Sequence, residues 1–340
     1  MTTGQLYLFG RFEAVVHGRK ISHLKSRKVE ELLSHLLLSR SRGVHREQLA
    51  DQLWPDVDLQ RSRKYLRQAL WQLQRVADSA ILPGSDQLLT VDQEWIGINP
   101  EADLWVDVFE FERAYESSID SHSPRLTDAQ RLTLRDAVNL YRGELLAGWY
   151  SDWCLSHQQF YRSIYLAMLE KLMRDSEAVG DWEEGLFYGS KLLREDRANE
   201  PAHVAMMRLY CMAGNRTAAL RQFDMCAEAL REEVDVEPDV TARGLHERIR
   251  DYGCTVQPPA DGLAQQVDRA EVPVSGYRAL RDLEFLRPAS YQSGYLRSLQ
   301  GFLSRMQAEV AGHIEELDSS VHLDTARRGG SGIELHGQAS

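Results

Sequence analysis

Hydrophobic residues change from a strand-like to a helical spacing within the first 80 positions of the chain. Aromatic and β-branched residues fill Leu6–Val16, and His17–Lys20 has the composition of a turn, so two short strands are predicted. Apolar residues at three- and four-residue spacing then predict a helix from Ser26 to Ser39. A short second helix follows and ends just before Pro55.

A third predicted helix, from Leu59 to Ala77, separates its apolar and polar residues onto two sides. It contains five basic residues and no acidic one. At about 100° per residue, the apolar side consists of Leu59, Leu66, Ala69, Leu70, Leu73 and Ala77. The opposite side consists of Arg61, Lys64, Gln68, Gln72 and Arg75. Beyond it, two apolar segments flank Asp92-Gln93-Glu94, which predicts a β-hairpin.

After Pro100 the strand signals disappear and amphipathic helices are predicted instead. They are Asp103 to Ser118, Thr127 to Tyr141, Ser156 to Val179, and further segments to Tyr252. Within them, Gly180-Asp181-Trp182 and Gly214-Asn215-Arg216 lie 34 residues apart, each between two helical stretches. This period is typical of tetratricopeptide repeats. The alternative is a helical bundle whose self-similarity is accidental.

The last quarter of the chain has a different composition. Residues 255–275 contain three prolines and scattered polar residues, which indicates a linker. Residues 276–318 include apolar positions at heptad spacing, which predicts a helix. This helix could pair with that of a second copy or pack against the preceding helices. Residues 319–340 are rich in Gly, Ser and charge, as in a disordered tail.

The net charge of −11 is unevenly distributed. Residues 1–100 carry 14 Lys and Arg against 11 Asp and Glu, whereas the other 240 residues carry 26 against 40. A mildly basic N-terminal part is therefore joined to a strongly acidic remainder, and the acidic total does not exclude nucleic acid as a partner.

Strands, three helices and a hairpin, with the third helix basic on its outer face, are the elements of a winged helix-turn-helix. Arg and Lys can neutralise phosphates, while Gln and Arg can form paired hydrogen bonds to base edges in a major groove. The predicted base-contacting residues are Arg61, Lys64, Gln68, Gln72 and Arg75. The predicted phosphate-contacting residues are Lys25, Arg27, Lys28 and Arg46. The alternative is a solvated basic face on an ordinary helix.

Several blocks of residues resemble a known family. The N-terminal blocks are Leu8–Phe12, Lys25–Lys28, Val44–Ala50, Leu53–Pro55 and Tyr65–Leu70. The later blocks are Asp107–Glu112, Tyr141–Gly148, Asp152–Trp153 and Leu230–Pro238. In this order they resemble SARP-type transcriptional activators, with a bacterial transcriptional activator domain after the winged helix. The resemblance extends from about Gln5 to Gly253.

The resemblance implies a fold, a mode of action and a set of partners. The implied fold is mostly α with a small β component: a response-regulator-type winged helix over residues 1–100 and a tetratricopeptide-like domain over residues 101–254. The implied action is binding upstream of promoters and recruitment of RNA polymerase holoenzyme. Wings in this family usually carry basic or small residues, whereas this turn is Asp92-Gln93-Glu94, so we do not expect it to touch DNA.

Other classes of protein find little support in the residues. The chain lacks H-E-x-x-H, G-x-S-x-G, G-x-G-x-x-G and G-x-x-x-x-G-K-[ST] motifs, so we expect no catalysis, no ATP switch, no metal and no cofactor. The four cysteines form no CxxC pair, which predicts reduced thiols in a cytoplasmic, nucleoid-associated protein without disulfides. No apolar run has the ~18 residues that a membrane span needs.

The sequence therefore predicts a DNA-binding transcriptional activator that binds promoter repeats as a homodimer. A repressor that uses the same DNA-binding face, or a protein-interaction scaffold, remains possible from the residues alone. The helical domain could bind a second copy, RNA polymerase, or a small-molecule or peptide effector, because superhelices of this kind are interaction scaffolds.

Overall fold

The computed structural model describes one compact unit of the chain. The described residues are 4–254 without residues 17, 22–23, 25, 41–42, 79–87 and 120–124. The predicted linker, heptad helix and tail lie outside the described residues, as does the phosphate candidate Lys25.

The described residues form seven strands and ten helices. The strands are β1 (Gly4–Tyr7), β2 (Glu13–Val16), β3 (Arg19–Ile21), β4 (Val44–His45), β5 (Leu89–Val91), β6 (Trp95–Ile98) and β7 (Leu104–Val106). The helices are α1 (Arg27–Leu38), α2 (Arg46–Leu53), α3 (Leu59–Val76), α4 (Asp107–Ile119), α5 (Asp128–Leu140), α6 (Asp152–Val179), α7 (Trp182–Glu195), α8 (Glu200–Met212), α9 (Arg216–Val234) and α10 (Val240–Tyr252). This mostly helical architecture with a small β component confirms the predicted fold class.

The N-terminal sheet has the strand order β3-β2-β1-β7. Strands β1 to β3 are antiparallel neighbours, whereas β7 pairs with β1 in parallel, with Leu6 opposite Val106. Two predictions are wrong here. Arg19 begins a strand rather than completing a turn, and Leu104–Val106 is a strand rather than the start of a helix. A three-residue strand is too short to show alternation, so its pairing with β1 decides its conformation.

Helices α1 to α3 and a second sheet of order β4-β6-β5 form the winged helix. Strands β5 and β6 are the predicted hairpin, and β4 joins it by pairing Val44 with Ile96. Gly43 precedes β4 at φ +67°, and a Cβ there would lie 3.1 Å from the Ile96 carbonyl oxygen. The close approach of the two strands therefore requires glycine at this position.

The apolar sides of α1 and α3 pack together as the core of the winged helix. Leu32, Leu33, Leu36 and Leu37 of α1 are fully buried. On α3 the predicted apolar side is buried with one exception: Leu59 is 48% exposed. Leu59 is the first residue of the helix and directly follows its N-cap, so it lies beyond the packed turns.

The helical domain contains two helical hairpins, α6–α7 and α8–α9, that turn in the same way. Gly180 ends the α6 side at φ +84°, and Asp181 caps α7 by accepting a hydrogen bond from the Glu184 amide at 3.1 Å. Gly214, at φ +73°, and Asn215 repeat this arrangement before α9. In each recurring Gly-Asx pair, the glycine thus ends one helix in the left-handed backbone conformation, and the Asp or Asn is the N-cap of the next helix.

The two hairpins differ in length. Helices α6 and α7 have 28 and 14 residues, whereas α8 and α9 have 13 and 19, so the second hairpin is the shorter one. Helix α6 starts at Asp152, four residues before the predicted Ser156, and reaches 28 residues. Helix α10 then packs against α8 and α9 through Ala242, Leu245 and Ile249.

The prediction of reduced cysteines without disulfides is wrong for one pair. Cys211 on α8 and Cys254 after α10 form a disulfide, with their Cα atoms 4.9 Å apart. They are 43 residues apart in sequence, and only the packing of α10 on α8 brings them together. Cys154 and Cys226 are free and buried. Burial raises the pKa of both thiols to about 12, so they are protonated at neutral pH.

The winged helix and the helical domain are connected by a continuous set of contacts, here called the junction and defined as residues 8–10, 107–112 and 144–147. Leu8 and Gly10 exchange backbone hydrogen bonds of 2.7–3.0 Å with residues 144, 146 and 147. The Phe9 ring packs edge-on against Phe111 and Tyr161, at centroid distances of 4.8 and 5.6 Å. The block Leu8–Phe12 that resembles the family is therefore part of an interdomain contact.

Asp107 is the polar centre of the junction. Its carboxylate accepts hydrogen bonds from the backbone amides of Leu8, Phe9 and Val108 at 2.8–2.9 Å. Its side chain is completely buried. Burial raises the pKa of Asp107 to about 6, although the three amide hydrogen bonds act in the opposite direction. A titratable group thus lies where the N-terminal sheet contacts α4.

Two further contacts cross between the domains. Arg40, just after α1, forms an ion pair of 2.8 Å with Glu112, and its guanidinium lies 3.5 Å from the centre of the Phe109 ring. His35 on α1 packs against the Trp153 ring of α6 at 4.9 Å. Burial, together with nearby His157, lowers the pKa of His35 to about 4, so His35 is neutral at pH 7.

Candidate DNA-binding surface

Helix α3 directs its basic side chains away from the protein core. Asp58 caps the helix by accepting a hydrogen bond from the Arg61 amide at 3.0 Å. Residues Ser62, Leu66, Ala69, Leu70, Leu73 and Val76 are buried. All five basic residues are exposed, and α3 contains no carboxylate. The packing thus leaves one face of the helix cationic and accessible to a partner.

The five predicted base-contacting residues share that face. Arg61, Lys64, Gln68 and Arg75 are exposed, and Gln72 is half-buried. At ~100° per residue they span roughly 80° of the helix circumference. The structure therefore brings the five together on one face of α3.

Internal contacts divide four of these residues into two groups. The Arg61 side chain lies 3.3 Å from the Asp58 carboxylate, and the Arg75 guanidinium lies 5.0 Å from the centre of the Trp71 ring. Lys64 and Gln68, by contrast, have no hydrogen bond or ion pair with any other described residue. Lys64 and Gln68 can therefore bind a ligand without breaking an internal contact.

Sequence reasoning missed Arg67 and Trp71 on the same surface. Arg67 is exposed and has no partner within the described part of the chain. The Trp71 ring is 57% exposed and lies one turn further along. Arg63, the remaining basic residue of α3, is bound instead to Glu47 of α2. At ~100° per residue, Trp71 lies about 20° and Arg67 about 60° from Lys64, so a wider helical projection centred on Lys64 rather than Gln68 would have included both.

The predicted phosphate-contacting residues all have internal partners where the structure describes them. Arg27 donates a hydrogen bond to the Gly148 carbonyl at 3.2 Å and contacts the Glu31 carboxylate at 3.3 Å. Lys28 lies 2.6 Å from Glu31 and donates to the carbonyl of Leu53, the last residue of α2. These contacts hold α1 against α2 and the helical domain, so Arg27 and Lys28 contribute to the fold.

Arg46 stabilises the turn of the wing. Its backbone amide donates to the Glu94 carbonyl at 2.8 Å, and its guanidinium donates to the Asp92 carbonyl at 3.1 Å. The Asp92 carboxylate accepts hydrogen bonds from the amides of Glu94 and Trp95, and these lower the pKa of Asp92. The turn therefore keeps a negative charge where a DNA-contacting wing would need a neutral or positive one.

Other types of site are not found in the described residues. They contain no group of three or more His, Cys, Asp or Glu side chains that could hold a metal ion. None of the helices described in residues 4–254 is long and apolar enough to cross a membrane.

Comparison with known proteins gives one family and one fold. Residues 106–250 match the family model of the bacterial transcriptional activator domain. No curated protein matches the chain. Among solved structures, EmbR from Mycobacterium tuberculosis, in complex with a low-affinity phosphopeptide, has a similar fold. The TM-score is 0.60 at 18% identity, over 85% of this chain and 73% of that chain.

These findings bear on the predicted family and class. The matched family is a domain of transcriptional regulators and not an enzyme family. The match agrees, for this part of the chain, with the resemblance drawn from the sequence. Residues 106–250 are similar to the bacterial transcriptional activator domain, and the described residues share their fold with EmbR.

Proposed function

We propose that the chain activates transcription by binding promoter DNA through α3 and bringing RNA polymerase holoenzyme to the promoter. The observation that carries this proposal is the acid-free, exposed outer face of α3 in a winged helix that precedes an activator domain. A helix of this kind fits the major groove, where its side chains reach base edges.

Each side chain of α3 has a chemical role in this proposal. Gln68 and Gln72 present amides that can form paired hydrogen bonds with adenine, and Arg61 and Arg75 can do so with guanine. Lys64 and Arg67 supply the positive charge that neutralises phosphates or reaches guanine. Arg27, Lys28 and Arg46 position these elements, because their side chains already hold α1, α2 and the wing turn together.

The wing has a different role from the one that hairpins of this fold commonly have. Its turn carries Asp92 and Glu94, and phosphates would repel both. We infer that recognition rests on α3 and that the wing turn stays outside the minor groove.

The helical domain supplies the protein contacts in this proposal. It would bind polymerase, and a homodimer would place two α3 helices on two promoter repeats. We place the protein in the cytoplasm, where it meets the chromosome. Because the EmbR structure contains a phosphopeptide, a peptide is the form of effector that we favour over a small molecule.

A binding experiment with matched variants tests the DNA contact. Sites would first be mapped on the organism's chromosome by immunoprecipitation and sequencing, and one site then titrated by fluorescence anisotropy. The double variant Lys64→Ala/Arg67→Ala should weaken binding by roughly 10-fold to 100-fold, because it removes two cations that contact DNA. Titration of a whole site should reach saturation at two chains per DNA.

The control removes the same charge elsewhere. Arg221→Ala/Arg248→Ala deletes two exposed cations of the helical domain and should leave the affinity within about two-fold. Equal losses in the two double variants would show that only net charge matters and would refute the role of α3. Saturation at one chain per site would refute the dimer.

A further inference from the structure

A surface groove of about 510 Å³ runs between the last two turns of α5 and the first two turns of α7. Arg135 and Asn139 line it from α5, and Asp181, Glu183, Glu184, Phe187 and Tyr188 line it from the α7 side. The Phe187 ring is 52% exposed, while Tyr188 behind it is buried. The groove thus combines an apolar platform with a rim of charged and amide groups.

Cationic side chains of the protein itself already bind to parts of this groove. The Arg135 guanidinium lies 3.1 Å from a Glu184 carboxylate oxygen, which also accepts a hydrogen bond from the Tyr188 hydroxyl at 2.9 Å. The Lys191 ammonium group lies 4.7 Å from the centre of the Phe187 ring. A guanidinium and an ammonium group are therefore held by a carboxylate and by an aromatic face of the same surface.

Two carboxylates of the groove carry a charge that no ion pair within the described residues neutralises. Glu184 is neutralised by Arg135, but neither Asp181 nor Glu183 has an ion-pair partner among the described residues. One cation against three carboxylates gives the lining a net charge of −2. Glu183 precedes Phe187 by one helical turn, so its carboxylate and the exposed ring lie on the same side of α7.

We propose that this groove binds an arginine- or lysine-containing segment of a partner protein. The cationic end of the side chain would pair with Glu183 and Asp181, and its aliphatic part would lie on the Phe187 ring. The Asn139 amide can form hydrogen bonds with the backbone of an extended peptide. The negative charge of the lining argues against DNA and against phosphopeptides as occupants.

Fluorescence anisotropy with a labelled hexa-arginine peptide and the full chain, at about 150 mM salt, tests this site. The double variant Glu183→Gln/Phe187→Ala should raise the Kd by about 5-fold to 20-fold, because it removes one ion pair and one cation–π contact. Both side chains are exposed, so the fold should survive, and a thermal melt would verify this. Glu183→Lys alone should weaken binding as well, through charge repulsion.

The matched control is Met225→Ala/Glu228→Gln on α9, which removes an exposed apolar side chain and an exposed carboxylate of similar spacing. It should change the Kd by less than about two-fold. Equal weakening by the two double variants would show that the peptide responds to the general acidity of the domain, and would overturn the proposal. Failure of the peptide to bind, or its displacement by a phosphothreonine peptide, would overturn it too.

Discussion

The outer face of α3 and the junction both contain polar groups, but the protein treats them in opposite ways. In the junction, the Asp107 carboxylate is buried and accepts three backbone hydrogen bonds. On α3, Lys64 and Arg67 are exposed and have no partner in the described part of the chain. One set of polar groups is satisfied by the fold, and the other set is left to solvent or to a ligand.

This difference separates the two kinds of effect that a substitution can have. Removing a buried acceptor leaves its donors without partners and lowers the free energy of unfolding. Removing an exposed cation changes the affinity for a charged ligand and leaves stability almost unchanged. The comparison therefore predicts which variants unfold the protein and which only prevent it from binding.

The largest expected effect is the loss of stability in Asp107→Ala. The substitution leaves three amides, those of Leu8, Phe9 and Val108, without their acceptor inside the junction. We expect the free energy of unfolding to fall by about 3 kcal/mol or more, measured by urea denaturation. Asp107→Asn keeps one carbonyl oxygen as an acceptor and should lose less.

Asp103→Ala serves as the control for that prediction. Asp103 is an exposed carboxylate four residues earlier in the chain, and its removal should change stability by less than about 0.5 kcal/mol. Similar losses for the two alanine variants would contradict the assignment of Asp107 as the polar centre of the junction.

A second, smaller effect concerns pH. The pKa of the Asp107 carboxyl is about 6 in the native state, whereas in the unfolded chain its pKa is 3.8. Between these values the native state binds more protons, so the contribution of Asp107 to stability increases as the pH falls from 7 to 4.5. The stability of the wild type relative to Asp107→Asn should rise by about 2 kcal/mol over this interval.

Comparing the two proteins at each pH isolates Asp107 from other titrations. His35, whose pKa burial lowers to about 4, destabilises the wild type and the variant alike when the pH falls. A stability difference that stays constant from pH 7 to 4.5 would show that Asp107 is ionised in the native state throughout this range.

The smallest expected effect distinguishes two arginines of the same helix. Arg67→Ala should lower the slope of log K against log salt for DNA binding by about one, because one phosphate contact is lost. Arg63→Ala should change the slope less, since Arg63 is bound to Glu47. Each variant should alter stability by less than about 1 kcal/mol. If the two variants had the same slope of log K against log salt, the bound Arg63 and the free Arg67 would contribute equally to DNA binding, and this prediction would be wrong.

Much of the winged helix could be predicted from hydrophobic spacing alone. Helices α1 and α3 begin and end within two residues of their predicted limits, because their apolar stripes, the Asp58 cap and Pro55 act locally. The hairpin β5–β6 and the paired helices of the second domain followed from equally local signals. The basic face of α3 could be predicted because charge segregation on a helix is a property of sequence spacing.

The features that were missed depend on contacts between distant residues. Strand β7 forms because it pairs with β1, about 100 residues earlier, and nothing in three residues indicates this. The pair Cys211 and Cys254 meets only because α10 packs on α8. The internal partners of Arg27 and Arg46 are a carbonyl after α5 and a carbonyl in the wing turn, which lie 121 and 46 residues away in sequence.

Strand β7 also bears on how this protein can be divided. It follows the wing in sequence, yet it pairs with β1 in the N-terminal sheet, and Asp107 comes directly after it. A fragment cut at residue 100 would expose the backbone edge of β1 and leave the Leu8 and Phe9 amides without their acceptor. An exchange of winged helices between relatives, by evolution or by an engineer, would therefore have to carry residues 101–147 along with the winged helix.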